Sequence, residues 1–301
     1  MTPQLLWLAT LDGVAYAALV FLVAVGLTLI FGVLRVLNVA HGSFYAIGAY
    51  TAASLGIAIS SGGLPGWLSY PALILAAVLI GTLLGSLIER QLLARIYGKE
   101  EVLQLLVTFA VFMILEDVQR LVWGVQPYFQ DTPLRLLGTM EVAGVFYTRY
   151  QLLVLPATAL VVLVGLRLFL RHTLQGRVIL AVTQDREAAM AMGIDAHRVY
   201  LTTFVLGASF AALGGALASP TTALVPGIGS DMIVLSFAVV ATAGLGQVEG
   251  AALAALLMGL GRSFAVYMYP EFEVLMPYLI MVVVLLIRPQ GLFGVAETRR
   301  I

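Results

Sequence analysis

From residue 13 to residue 34 the chain carries no charge at all. A helix rising about 1.5 Å per residue needs about 20 apolar residues to cross a hydrocarbon layer about 30 Å thick. This stretch is long enough, and it is not alone. Apolar runs bounded by Gly, Pro or charge fall near residues 11–33, 38–60, 67–88, 101–123, 150–170, 199–219, 229–246, 250–268 and 274–288. They are continuous rather than alternating, and they exceed the roughly 10 residues of a membrane barrel strand. The expectation is an all-α, polytopic transmembrane bundle of about 8–10 spans.

Composition agrees. Of 301 residues 61% are hydrophobic and 11% charged, and the mean hydropathy is +1.02, outside the range of soluble domains. Sixteen basic residues balance sixteen acidic ones, which argues against nucleic acid as a partner. Without cysteine, disulfides and cysteine-ligated metals are excluded. No Lys or Arg precedes Arg35, so the start lacks the basic region of a secretory signal and reads as an uncleaved first span.

Basic residues accumulate in cytoplasmic loops. Nine spans with the N-terminus outside and the C-terminus cytoplasmic put Arg35, the Arg90/Arg95/Lys99 group, the Arg171/Arg177/Arg186/Arg198 group and Arg299/Arg300 all inside. This solution requires that 229–268 be two spans, divided at residues 245–250 (LGQVEG). Residues 60–71 and 124–151 then face outward, and the second of these loops holds a short hairpin turning at Ala143-Gly144. No internal repeat is visible, so residues 1–301 form one membrane domain. The 30 glycines, costly in a soluble helix, let membrane helices approach closely.

The polar exceptions carry the functional information. In the longest inner loop, residues 171–198, lies TQDREAAMAMGID (183–195). Thr183 or Asp185 can cap a helix start and Gly193 can supply its left-handed stop. About two turns result, with Asp185, Arg186 and Glu187 at the polar start and Ala189, Met190 and Met192 on the apolar side. Connections between neighbouring helices usually need only 2–8 residues. The helix serves either as a plug for a groove on another protein or as a strip lying on the membrane surface.

Polar groups at membrane depth cost free energy unless they pair or line water. Asn38, His41 and Gly42 open the second run, where they either bend the chain beside a translocation path or lock the helix to its neighbour. Glu116 and Arg120 stand one turn apart and can pair towards the outer end of their run, as a structural ion pair or as a relay. Glu249, near Gly246, is either a plain inner-loop residue or part of an inner gate. His172 and His197 flank the inner loop with no metal spacing. ATP hydrolysis would need a glycine loop ending in Lys-Ser or Lys-Thr, whereas the single lysine, Lys99, is followed by Glu100.

Three segments resemble one family. Glu187-Ala188-Ala189 with Gly193 is similar to the EAA-x-x-x-G loop of ABC importer permeases. Residues 176–220 around it, Asn38-Val39-Ala40-His41-Gly42 within LNVAHGSFYAIGAY (37–50), and IRPQGLFG (287–294) resemble the branched-chain amino acid permeases of LivH type, in family order. The segment 244–251 departs from the family's double glycine followed by Gly-Ser, which bears on the substrate. The resemblance implies a non-catalytic permease subunit in a bacterial or archaeal cytoplasmic membrane. It would move branched-chain or related apolar amino acids by alternating access. Its implied partners are a second, related permease or another copy of this chain, two cytoplasmic ATPases holding ATP and magnesium, and an extracytoplasmic solute-binding protein. No cofactor would reside in this chain. Asp185, Arg186, Glu187, Ala188, Ala189 and Gly193 would couple to the ATPases. Asn38, His41 and Gly42 would line the path, and Gly246 and Glu249 the inner gate. The other reading is an ion-coupled secondary transporter of small polar solutes, which would place acidic groups or histidines at mid-membrane; only Glu116 and Asp117 come close.

Overall fold

A computed structural model describes residues 3–142 and 144–294, and in it each of the apolar runs is helical over most of its length. The chain builds α1 (Pro3–Leu34), α2 (His41–Ser61) and α3 (Ser69–Ile88), the last continued by a π turn (Glu89–Leu93) and α4 (Ala94–Ile96). Then come α5 (Glu101–Trp123), α6 (Thr132–Leu137), β1 (Thr139–Val142), β2 (Val145–Thr148) and α7 (Leu155–His172). The segment after α7 holds α8 (Leu174–Gln184) and α9 (Arg186–Ala191), after which α10 (Ala196–Ala218), α11 (Ile228–Ala243), α12 (Val248–Met268) and α13 (Met276–Ile287) complete the bundle.

Among the described residues six helices are long and apolar enough to cross a membrane. The expectation of nine equivalent spans is therefore adjusted at three places. With 16 and 12 residues, α11 and α13 rise about 24 and 18 Å, short of a hydrocarbon core. The third, α5, is long, but carries Glu101, Glu116, Asp117 and Arg120. The break between α11 and α12 falls at residues 244–247, where Gly244 (φ +97°) and Gly246 (φ +80°) turn the chain in a region closed to most side chains. The first helix begins at Pro3, well before residue 11. Arg299 and Arg300 lie outside the described residues.

The core forms around α1, where Val20, Leu22, Val23, Ala24 and Val25 are each 0% exposed. Its neighbours reach it through small residues. A Cβ on Gly26 would collide with the carbonyl of Gly207 on α10, and one on Gly259 of α12 would stand 2.6 Å from the Gly13 carbonyl oxygen. Backbones thus meet directly, and dispersion and packing hold helices together where lipid removes the hydrophobic drive. On the far side, β1 and β2 form the antiparallel hairpin, with Val142 opposite Val145. Ala143 in its turn lies outside the described residues. The segment between α5 and α6 is tied down by a bridge between Tyr128 and Leu224.

Candidate functional site

The segment between α7 and α10 is more structured than its sequence announced. The Thr173 hydroxyl oxygen accepts the amide of Gly176 at 3.0 Å, starting α8. Gly176 lies so close to the Phe169 carbonyl that no Cβ fits there, so α8 folds straight back on α7. Buried Ile179 and Val182 anchor it; their spacing of three is the signal that an amphipathic helix was present in a stretch read only as loop.

Next in the chain, α9 has the expected ends. Asp185 is the cap, since its Oδ1 accepts the Ala188 amide at 2.9 Å; Thr183 instead donates to the Ile179 carbonyl oxygen inside α8. Gly193 (φ +86°) stops the helix, and the Ile194 amide returns to the Ala189 carbonyl oxygen at 3.1 Å. Ala189 is buried, but Met190 and Met192 are 43% and 85% exposed. The expected apolar side is thus divided: Ala189 seats α9 on its own subunit, and the methionines stand free. Glu187 and Ala188 are exposed beside them. A cavity of about 490 Å³ opens next to α9, lined by Leu174, Val178, Gly193, Ile194, Arg198 and Leu206 among others.

A chain of contacts ties α9 to the bundle. Arg186 lies over the Tyr200 ring of α10, 5.4 Å from its centroid. Tyr97, after α4, meets the same ring edge-on at 5.0 Å, and its hydroxyl donates to Glu89 Oε1 at 3.2 Å. Burial and the nearby Glu89 carboxylate push the Tyr97 hydroxyl above its ordinary range, so it remains a donor.

Asn38 and His41 are 0% exposed. His41 begins α2, and its Nε2 lies 2.9 Å from the Val23 carbonyl oxygen in the middle of α1. Asn38 precedes α2 in a non-helical segment, so it does not share a helical face with His41, Gly42 and Tyr45. Among the described residues neither atom of its side-chain amide has a partner. Thr108 of α5 secures that segment from both sides: its hydroxyl donates to the Leu37 carbonyl oxygen at 3.1 Å and accepts the Val39 amide at 3.3 Å. Gly42 meets the backbone of Gly229 on α11.

The helix that supplies Thr108 is inverted relative to a soluble amphipathic helix. Its buried positions include Gln104, Thr108 and Gln119, while Val102, Leu106, Ile114 and Leu121 are exposed. Three uncharged polar side chains thus face the bundle beside Val111 and Phe112, while Asp117 and Arg120 stay exposed, and burial inside the bundle is how a membrane helix carries such polar residues. The expected pair is present, with Arg120 Nη2 donating to Glu116 Oε1 at 2.6 Å. Gln119, which sequence reading passed over, is buried beside Glu116, Ser43 and Ser230.

Where α12 begins, Glu249 Oε1 accepts from Arg171 of α7 at 3.3 Å and forms an ion pair with Arg167 Nε at the same distance. Gly246 packs on the backbone of Gly32 in α1. Residues 288–294 dock beside them, the Leu292 and Phe293 amides donating to the Thr242 and Ala243 carbonyl oxygens at 2.8 and 2.9 Å. The third motif therefore braces the α11–α12 turn, a role its sequence did not disclose. Among the described residues no group of three His, Cys, Asp or Glu could hold a metal, and His172 and His197 join none.

Comparison with known proteins adds the lineage. The high-affinity branched-chain amino acid transport system permease protein LivH of Escherichia coli is 26% identical over 296 residues, covering 96% of each chain. The high-affinity branched-chain amino acid transport system permease protein LivM of the same organism is 28% identical over 310 residues, covering 96% of this chain and 71% of its own. The structure of PsaBC from Streptococcus pneumoniae in complex with Fab has a TM-score of 0.50 at 15% identity, over 94% of this chain and 92% of that one, a likeness of fold. Residues 9–285 match the family described as branched-chain amino acid transport system / permease component, and this multi-pass helical membrane protein belongs to it.

Proposed function

We propose that this chain is a transmembrane permease subunit of an ATP-driven importer in a bacterial or archaeal cytoplasmic membrane. Its cargo is branched-chain or related apolar amino acids delivered by an extracytoplasmic solute-binding protein. The observation that carries this reading is α9, a helix capped by Asp185 and stopped by Gly193 that leaves Glu187, Ala188, Met190 and Met192 uncovered. A short helix with exposed methionines fits a groove on another protein.

In this reading two cytoplasmic ATPases bind ATP and magnesium and this chain binds neither. Closure of the ATPase pair pushes α9, and Arg186 carries the displacement through Tyr200 and Tyr97 to the end of α3. The bundle then alternates between outward and inward openings, with Asn38, His41 and Gly42 beside the path and Gly246 and Glu249 at its inner end. Because LivH and LivM both resemble this chain, its permease partner is a second, related permease, with a second copy of this chain as the alternative. Coupling between sites is reciprocal, so docking of the loaded binding protein outside favours nucleotide-driven closure inside.

The test is co-expression with the ATPases and permease encoded beside it, followed by co-purification of the native chain and of Glu187→Arg plus Gly193→Pro. The native chain is expected to retain the ATPases, and the variant, inserted and intact, to lose them. Failure of either form to bind an ATPase, with correct insertion and all partners present, would overturn the proposal.

A further inference from the structure

A narrow groove runs between α1, α7 and α12, and its chemistry changes from one end to the other. Its cavity of about 180 Å³ is lined by Ala17, Ala18, Phe21, Ala159, Leu163 and Ala252, with further apolar neighbours. The alanines are what hold it open, because larger side chains at 17, 159 and 252 would fill the space. On α7 the lining residues Ala159 and Leu163 lead along a slanting row of four-residue steps to Arg167 and Arg171. On α12 the lining residue Ala252 stands one turn from Glu249. The apolar groove thus ends at the pair of arginines that share Glu249 Oε1.

Two guanidiniums and one carboxylate leave this end with an excess of one positive charge. Each arginine gives Glu249 a single contact and retains N–H donors in a planar fork suited to phosphate oxygens. The arginine side chains are 54% and 58% exposed, open to an incoming anion. Little else covers α7, of which only Leu155 and Leu166 are buried.

We propose that this groove binds one anionic glycerophospholipid of the surrounding bilayer. An acyl chain lies against Ala17, Ala18, Ala159 and Ala252, and the phosphate is bound by Arg167 and Arg171. The charge complementarity selects a singly anionic headgroup over a zwitterionic one. Basic pockets between helices on the cytoplasmic side are where anionic headgroups settle, and the lipid becomes the filler that couples α7 to α12. A free phosphate would use the arginines alone and would have no use for the groove.

The test uses the full-length chain in its native complex in nanodiscs, with native mass spectrometry to count retained lipids. Phosphatidylglycerol should be retained about tenfold or more over phosphatidylcholine, and Arg167→Gln with Arg171→Gln should abolish that preference. Glu249→Gln should increase it. Ala159→Trp, which keeps both arginines but fills the groove, should lose phosphatidylglycerol while inorganic phosphate does not compete for the site. Because the chain lacks cysteine, Leu160→Cys offers a single thiol on an otherwise native background, independent of how the other variants fold. It should react with a maleimide carried on an acyl chain and be protected by excess phosphatidylglycerol but not phosphatidylcholine. Equal retention of the two lipids by the native complex would overturn the proposal. So would failure of the Leu160→Cys thiol to react in the assembled complex whichever lipid is present, alongside full reaction in the isolated chain, which would make the groove a subunit interface.

Discussion

The guanidinium carbon of Arg186 stands 5.4 Å from the centre of the Tyr200 ring, joining the short helix α9 to the long helix α10 through a cation and an aromatic face. Such contacts contribute about 0.5–1 kcal/mol at exposed sites. Tyr200→Leu should therefore weaken ATPase retention by about two- to fivefold, whereas Tyr200→Phe, which keeps the ring, should retain it; titrated pull-down against the ATPases measures both. Equal losses in the two variants would remove the ring from the account.

The cap at Asp185 makes a second claim. Asp185→Ala removes the acceptor of the Ala188 amide and should cost α9 about 1 kcal/mol. Amide hydrogen exchange across residues 186–192 should rise about fivefold, with no change in α10. Asp185→Asn keeps an acceptor and should behave as native.

Tyr97→Phe deletes the hydroxyl that donates to Glu89. Glu89 is buried and would lose a partner while its surroundings remain. The expected loss is about 1–3 kcal/mol, read as a lower midpoint of thermal unfolding in detergent. An unchanged midpoint would mean that the pair contributes nothing.

Two glycines should respond in opposite directions. Gly42→Ala places a methyl against the Gly229 carbonyl oxygen and should destabilise by about 1–3 kcal/mol through overpacking. Gly165, inside α7, has no atom within 4 Å of a Cβ position, so Gly165→Ala should stabilise by about 0.5–1 kcal/mol by reducing unfolded-state freedom. Thermal midpoints of the two variants, measured side by side, check the sign of each.

The Glu116–Arg120 pair separates structure from relay. With side-chain exposures of 17% and 46%, its coupling should be about 0.5–1 kcal/mol in a double-mutant cycle built on Glu116→Gln and Arg120→Gln. If the pair is structural, transport by the doubly substituted chain should remain. Loss of transport in a stable double variant would favour a relay.

Much of the architecture was legible because the bilayer imposes a length and a polarity on each crossing. The 245–250 break, the hairpin and the ends of α9 were also legible, since each depends on turn or cap chemistry that individual residues announce. Such local signals could not show that α8 folds back on α7, because that depends on Gly176 meeting a carbonyl of another helix. Nor could they show that α11 and α13 are too short to cross alone.

The sequence by itself determined the membrane class, the long apolar helices and the polar helix with its glycine stop, since these follow from local hydropathy and backbone preference. Only the tertiary structure decided which polar groups meet: Arg167 and Arg171 on Glu249, Arg186 on Tyr200, Thr108 on the segment holding Asn38. Partners 71 to 82 positions apart, as Leu37 and Thr108 or Arg167 and Glu249 are, leave no periodic trace along the chain. They are selected by helix packing through glycines and alanines, a matter of shape in three dimensions.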